Sequence, residues 1–182
     1  MVAVAKQRMS LLIRSYIIKD PFFLMIGFRS FILPLVEYCS PAWSPYLIRD
    51  ILLIESVQRI FTKRIPVLKD LTYTERINFL CVNTLEHRRL ISDLIMCYKI
   101  MHGLMCGPPE EYGLLLSNRR SRGHSLKLQL EQPKMDVRKF YFANRVARPW
   151  NSLPDSTVNA DNVKSFKSLL SNFNLKDFLL IK

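Results

Sequence analysis

A mainly α-helical protein is predicted by three features of the sequence. Apolar residues recur at helical spacing along most of the 182 positions, Pro34, Pro66 and Gly103 end three of those stretches, and a strand-like alternation appears at Leu126, Leu128 and Leu130. We expect an irregular assembly of about six to seven helices with a short β hairpin or arm near 124–130.

Residues 2–18 set Val4, Met9, Leu12, Ile13, Tyr16 and Ile17 on one helical face, with Lys6, Arg8 and Arg14 off it. Asp20-Pro21 joins an N-cap to a proline at the first helical position. It opens a second helix through Phe22, Phe23, Met25, Ile26, Ile32 and Leu33, which Pro34 ends or kinks. Between Leu33 and Tyr46, Pro34, Pro41 and Pro45 forbid a continuous helix. Tyr38, Trp43 and Tyr46 are expected to pack that turn down, rings buried and polar tips bonded. Leu47–Ile65 is the most regular helix. Leu47, Ile51, Ile54, Val57 or Gln58, and Phe61 face inward, while Arg49, Asp50, Glu55, Arg59, Lys63 and Arg64 take other faces. Pro66 breaks it, and Thr72-Tyr-Thr-Glu75 is a capping box for a short helix through Leu80.

Thr84 caps the next helix, which turns Leu85, Leu90, Ile91, Leu94, Ile95, Tyr98 and Met101 inward and stops at Gly103. Gly107-Pro108-Pro109 centres the loop that follows. This divides the chain into a helical region over 1–106, a linker over 107–116, and a basic arm with C-terminal helices over 117–182. Asp136 caps a helix that carries Phe140, Tyr141, Phe142, Val146 and Trp150, and Trp150-Asn-Ser-Leu-Pro154 closes it. A final helix from Asp161 or Asn162 buries Val163, Phe166, Leu169, Leu170 and Phe173.

The charge is strongly one-sided. Twenty-seven Lys and Arg stand against 15 Asp and Glu, a net +12, which favours a polyanionic partner, either nucleic acid or an anionic membrane surface. Cys39, Cys81, Cys97 and Cys106 form no Cys-x-x-Cys pair, so they read as buried thiols in a reducing compartment, neither a zinc site nor a disulfide framework. No cofactor is implied. No uncharged apolar run has the length of a membrane span, and Lys6 and Arg8 sit where a signal peptide would be apolar. The expectation is an intracellular protein, cytoplasmic or nuclear, with no membrane partner.

No catalytic constellation is present in the sequence: the glycines at 27, 103, 107, 113 and 123 form no phosphate loop, and no paired aspartates mark a two-metal site. Binding residues are more evident. Between Ser117 and Pro149 nine Lys and Arg (Arg119, Arg120, Arg122, Lys127, Lys134, Arg138, Lys139, Arg145, Arg148) stand against Glu131 and Asp136, a local balance of +7. Arg119, Arg120, Arg122, His124 and Lys127 on a basic loop suit phosphate contacts, each weakening with salt; a solubilising charged loop is the alternative. Arg88 and Arg89 beside His87 form either a phosphate clamp or a solvated helix face partly neutralised by Glu86. Phe140, Tyr141 and Phe142 either stack bases or fill a core.

Leu35-Val-Glu-Tyr-Cys-Ser-Pro-Ala-Trp-Ser-Pro45, Asp50, Glu55-x-Val-Gln-Arg59 and Thr62-Lys63 closely resemble the segment after the polymerase core in reverse transcriptases of jockey-like non-LTR (LINE) retrotransposons. Tyr73-x-Glu-Arg76, Leu85-Glu-x-Arg-Arg89, Asp93-Leu94, Tyr98-Lys99, His102-Gly103, Arg122-Gly-His-Ser125, Arg145-Val146, Trp150-Asn-Ser-Leu-Pro154 and Ser165-Phe-Lys167 continue it in that family's order, across residues 8–173. The resemblance implies a thumb-side and C-terminal helical region that binds RNA or an RNA–DNA hybrid in the parent enzyme and packs on its palm domain. It also implies no polymerase activity from this chain alone, since the palm with its Tyr-x-Asp-Asp carboxylates and the endonuclease lie upstream in such polyproteins. A helical protein-interaction module or a non-functional transposon relic, its former palm interface exposed around Phe22, Phe23, Phe28 and Phe31, is the alternative. Arg148-Pro149 stands before Trp150 where that family usually has a polar or aliphatic pair, and Pro149 is expected to distort its helix end.

Overall fold

The computed structural model describes residues 1–17, 19–117 and 123–181. Among these residues the chain is mainly helical, with eleven α-helices. Seven of them have seven residues or more; the other four are single turns of four or five residues, too short to leave a period in the sequence. The chain divides into two compact units, Met1–Arg89 with Ile181, and Leu90–Leu180. The division falls after Arg89, upstream of the 107–116 stretch read as a linker; Leu114 in that stretch is buried in the second unit's core.

The first unit begins with α1 (Val2–Ser15) and α2 (Pro21–Phe31). Asp20 Oδ1 accepts the Phe23 N–H at 2.8 Å, and Pro21 follows it as the spacing predicts. The buried face of α1 is Ala5, Met9 and Leu12, whereas Val4 and Ile17 are exposed. Gly27 of α2 lies where a Cβ would come within 2.9 Å of Leu12, so a side chain there would disturb the close approach of α1 and α2. Pro34 ends α2 and stands in the first turn of α3 (Leu33–Glu37).

After α3 the chain turns through α4 (Ser40–Trp43) to α5 (Ile48–Lys63). The expectation that all three rings of this turn pack down needs correction. Trp43 packs on the core and its Nε1–H donates to Tyr38 O at 2.7 Å, but Tyr38 itself is 81% exposed. Ile51, Ile54, Val57 and Phe61 of α5 are buried, and Phe61 lies 4.6 Å from Phe28 of α2 between ring centroids. Thr72 and Glu75 form the expected reciprocal capping box of α6 (Tyr73–Phe79). Thr84 Oγ1 then accepts the His87 N–H at 3.2 Å at the start of α7 (Leu85–Met101), and Gly103, at φ 65°, follows its end.

In the second unit α7 supplies Leu94, Cys97 and Tyr98 to a core shared with Leu128, Trp150, Phe166 and Leu170. The Tyr98 ring stacks on Phe166 at 4.4 Å and on His102 at 4.2 Å. The helix expected from Asp136 is two helices, α8 (Asp136–Lys139) and α9 (Phe142–Asn151), broken at Phe140–Tyr141. Side chains explain the break: Asn144 Nδ2 donates to Arg138 O at 2.7 Å and Arg145 Nη1 to Phe140 O at 3.2 Å, giving those carbonyls donors other than the next helical turn. α9 runs through Pro149 and ends two residues later, with Trp150 fully buried. α10 (Asp155–Val158) and α11 (Val163–Ser171) complete the unit, the latter capped by Asn162, whose Oδ1 accepts the Ser165 N–H at 2.9 Å.

The β arm is reduced to one antiparallel bridge, Leu116 with Leu128, closed by Ser117 N–H to Lys127 O at 2.8 Å and Gln129 N–H to Leu115 O at 2.7 Å. Its other edge meets a side chain instead of a strand. Asn151 Oδ1 accepts the Leu128 N–H and Asn151 Nδ2 donates to Leu128 O, both at 2.8 Å. The thiols also differ from expectation: Cys39, Cys81 and Cys106 are exposed and Cys97 is buried. Cys39 and Cys81 occupy left-handed turn corners at φ 51° and 50°, and turns run over the surface. Among the described residues no helix is long and apolar enough to cross a membrane.

Candidate nucleic-acid interface

Of the seven residues singled out from sequence, Arg119, Arg120 and Arg122 lie outside the described residues. Arg88 and Arg89 belong to the first unit, and His124 and Lys127 to the second.

Arg88 is engaged by the chain itself. Its guanidinium meets both Glu37 oxygens, Nη2 to Oε2 at 2.9 Å and Nε to Oε1, and this hydrogen bonding holds its pKa above the ordinary value. Arg89 is 2% exposed, and its charge acts on the buried Glu55 carboxylate. Glu55 accepts from Tyr73 Oη and, at 2.9 Å, from the Leu85 N–H at the first residue of α7. Burial raises the Glu55 pKa, against the lowering effects of the Tyr73 hydrogen bond and Arg89; burial and Glu55 both raise Tyr73. Gln58 completes the group, Nε2 donating to Tyr73 Oη at 3.2 Å and Asn83 O at 3.0 Å. Arg88 is thus paired with Glu37 and Arg89 is buried with its charge acting on Glu55, an arrangement unlike the two open guanidinium groups expected of a phosphate clamp. Gln58 faces inward as one of the two readings of its position allowed, whereas Glu55, assigned to another face, was missed as a core residue because a single polar residue on an amphipathic helix carries no sign of its partner.

His124 also needs correction as a surface ligand. It is 2% exposed, its ring stands edge-on to Trp150 at 5.9 Å, and Nε2 lies 3.2 Å from Trp150 O. Burial lowers its pKa, with Lys127 adding to that and the Trp150 carbonyl opposing it. With Trp150 Nε1–H donating to Leu126 O at 2.8 Å, His124 belongs to the clamp that holds the arm on α9. Lys127 is half-buried on the same arm.

Other members of the basic cluster are presented to solvent. Lys134, Arg138, Lys139 and Arg148 are exposed, Arg138 meeting Glu131 in a surface pair at 3.1 Å. Such a pair is worth little, so an incoming phosphate can displace the carboxylate. Arg145 differs: Nε to Asp93 Oδ2 at 2.8 Å and Nη2 to Oδ1 at 2.9 Å tie it to a buried carboxylate of α7. Of the three neighbouring aromatics Phe142 is buried, Phe140 is half-buried beneath Lys139, and Tyr141 is 55% exposed. Counting charge located this stretch, but exposure singles out Lys134, Arg138, Lys139, Tyr141 and Arg148 within it.

Among the described residues no group of three or more His, Cys, Asp or Glu is placed to hold a metal ion. No family model, no curated protein and no solved structure matches the chain.

Proposed function

We propose that the chain binds the backbone of RNA or of an RNA–DNA hybrid without sequence specificity, as the non-catalytic thumb-side portion of a LINE-type reverse transcriptase. The observation that carries this is the exposure of Lys134, Arg138, Lys139 and Arg148 within a segment of net charge +7. Arg119, Arg120 and Arg122 add to it from the sequence, and the motif resemblance supplies the class of polyanion. Arg88, Arg89 and His124 take no part, because ion pairing and burial already occupy them. Filter binding of the full chain to RNA across a salt series tests the proposal. Log affinity falls with log salt by about 0.7 per phosphate contact on a single strand and about 0.9 on a duplex. An affinity flat with salt, or unchanged when Arg119, Arg120, Arg122, Lys134, Arg138 and Lys139 all become alanine, overturns it.

A second reading is favoured by α2. Phe22 is 56% exposed and Ile26 61% exposed, Phe23 and Phe31 are also exposed, and Phe28 points inward. A helix apolar on both faces is ordinarily covered on both, and in the parent polyprotein the palm domain is the partner that would cover this one. Co-purification with a LINE-type palm domain, lost on Phe22→Ser with Ile26→Ser, is the expected result; capture that survives both substitutions removes this reading.

A further inference from the structure

We infer that Tyr141 stacks on an unpaired base, so that the basic surface prefers single-stranded RNA to an RNA–DNA duplex; this rests on the phosphate-binding reading above. Two observations converge on the ring. First, it stands in the open between α8 and α9, three residues after Arg138 and two after Lys139, both exposed. Second, the corner that carries it is held by two side chains of α9. Arg145 Nη1 and Asn144 Nδ2 bond the Phe140 and Arg138 carbonyls, and Arg145 is itself tied to Asp93.

An aromatic ring on a corner held by side-chain hydrogen bonds loses less freedom when a base stacks on it, and the two cations just before it can hold the adjoining phosphates. Duplex bases are already stacked on one another and offer no free face. Phosphate contact alone makes no such distinction. The ring therefore adds a strand preference to a charge-driven surface.

The test is fluorescence anisotropy of the full chain with a labelled oligouridylate of about 12 nucleotides and with an RNA–DNA hybrid of the same length. Tyr141→Ala is expected to weaken the single strand about 5- to 150-fold and to leave the hybrid within about twofold, while Tyr141→Phe, which keeps the ring, binds as the parent. Because Tyr141 is largely exposed, an unchanged urea midpoint serves as the control for folding. Equal affinity for the two probes, or an alanine variant that binds oligouridylate normally while Lys134→Ala/Arg138→Ala/Lys139→Ala weakens both probes, overturns the stacking inference and leaves phosphate binding standing. If neither variant changes either probe, both fall.

Discussion

Arg145 and Asp93, 52 residues apart in sequence, meet through two parallel hydrogen bonds of 2.8 and 2.9 Å, with the carboxylate almost wholly buried. The contact fastens α9 to α7 and, through Arg145 Nη1, fixes the Phe140 carbonyl at the corner before α9. Breaking it leaves a buried charge without its partner, which costs about 3–5 kcal/mol. Asp93→Ala should lower unfolding stability by that amount in a urea titration. Arg145→Lys, which keeps the charge but not the planar fork, should lose a smaller part. A loss below about 1 kcal/mol for Asp93→Ala would show that the pair does not hold the second unit together.

Asn151 treats Leu128 as a second strand would, taking both its N–H and its C=O. Asn151→Ala removes two hydrogen bonds at the edge of the core and should cost about 1–3 kcal/mol. The Leu128 amide is the reporter. Its hydrogen exchange should accelerate out of proportion to the global loss, since the arm is held on that side by this side chain and by Trp150. An amide that stays protected in the variant contradicts the assignment.

His124 gives the second unit a pH dependence with a defined sign. Its folded pKa lies below the ordinary value of 6.5 because burial disfavours the charged ring. The unfolded chain therefore binds more protons in the window just below 6.5, and stability rises with pH there. The contribution is complete above 6.5 and is lost as pH falls toward the folded value. The urea midpoint should drop between about pH 7 and pH 5, and drop less in His124→Gln. A parental midpoint indifferent to pH across that range would remove His124 from the buried clamp.

The Thr72 cap offers a local control. Thr72→Ala should cost about 1 kcal/mol, because the Thr72 hydroxyl accepts the Glu75 N–H while the Glu75 carboxylate accepts the Thr72 N–H. Hydrogen bonds from Thr72 also hold the Glu75 pKa below its ordinary value. An unchanged midpoint would mean that α6 draws no stability from its first turn.

What was legible in the sequence follows the range of the interaction. Asp20, Thr72 and Thr84 cap helices through groups three residues away where the spacing places them, and of the two candidates Asp161 and Asn162 it is Asn162 that caps; Asp136, read as a cap, is instead the first residue of α8, whose N-cap Met135 makes no side-chain cap bond. The long helices were legible too, since α5 buries a 3.6-period stripe that propensity and burial both favour. The side chains that join helices were not. Glu37 meets Arg88 across 51 residues and Glu55 meets Leu85 across 30, and no local pattern announces either. For the same reason Arg88, Arg89 and His124 looked like ligands: a basic residue on a helix or loop is written identically whether it faces water or a buried carboxylate. The break at Phe140–Tyr141 was hidden because it depends on where Asn144 and Arg145 aim, which the helical period does not encode.

The chain has two tryptophans, and one falls in each compact unit: Trp43 is half-buried against the first core and Trp150 is sealed in the second. The protein thus carries a separate optical label for each half. In Trp43→Phe the remaining emission follows the second unit alone, and subtracting it from the parental signal recovers the first. Two such melting curves, overlaid, would show whether the halves come apart in one step or in succession.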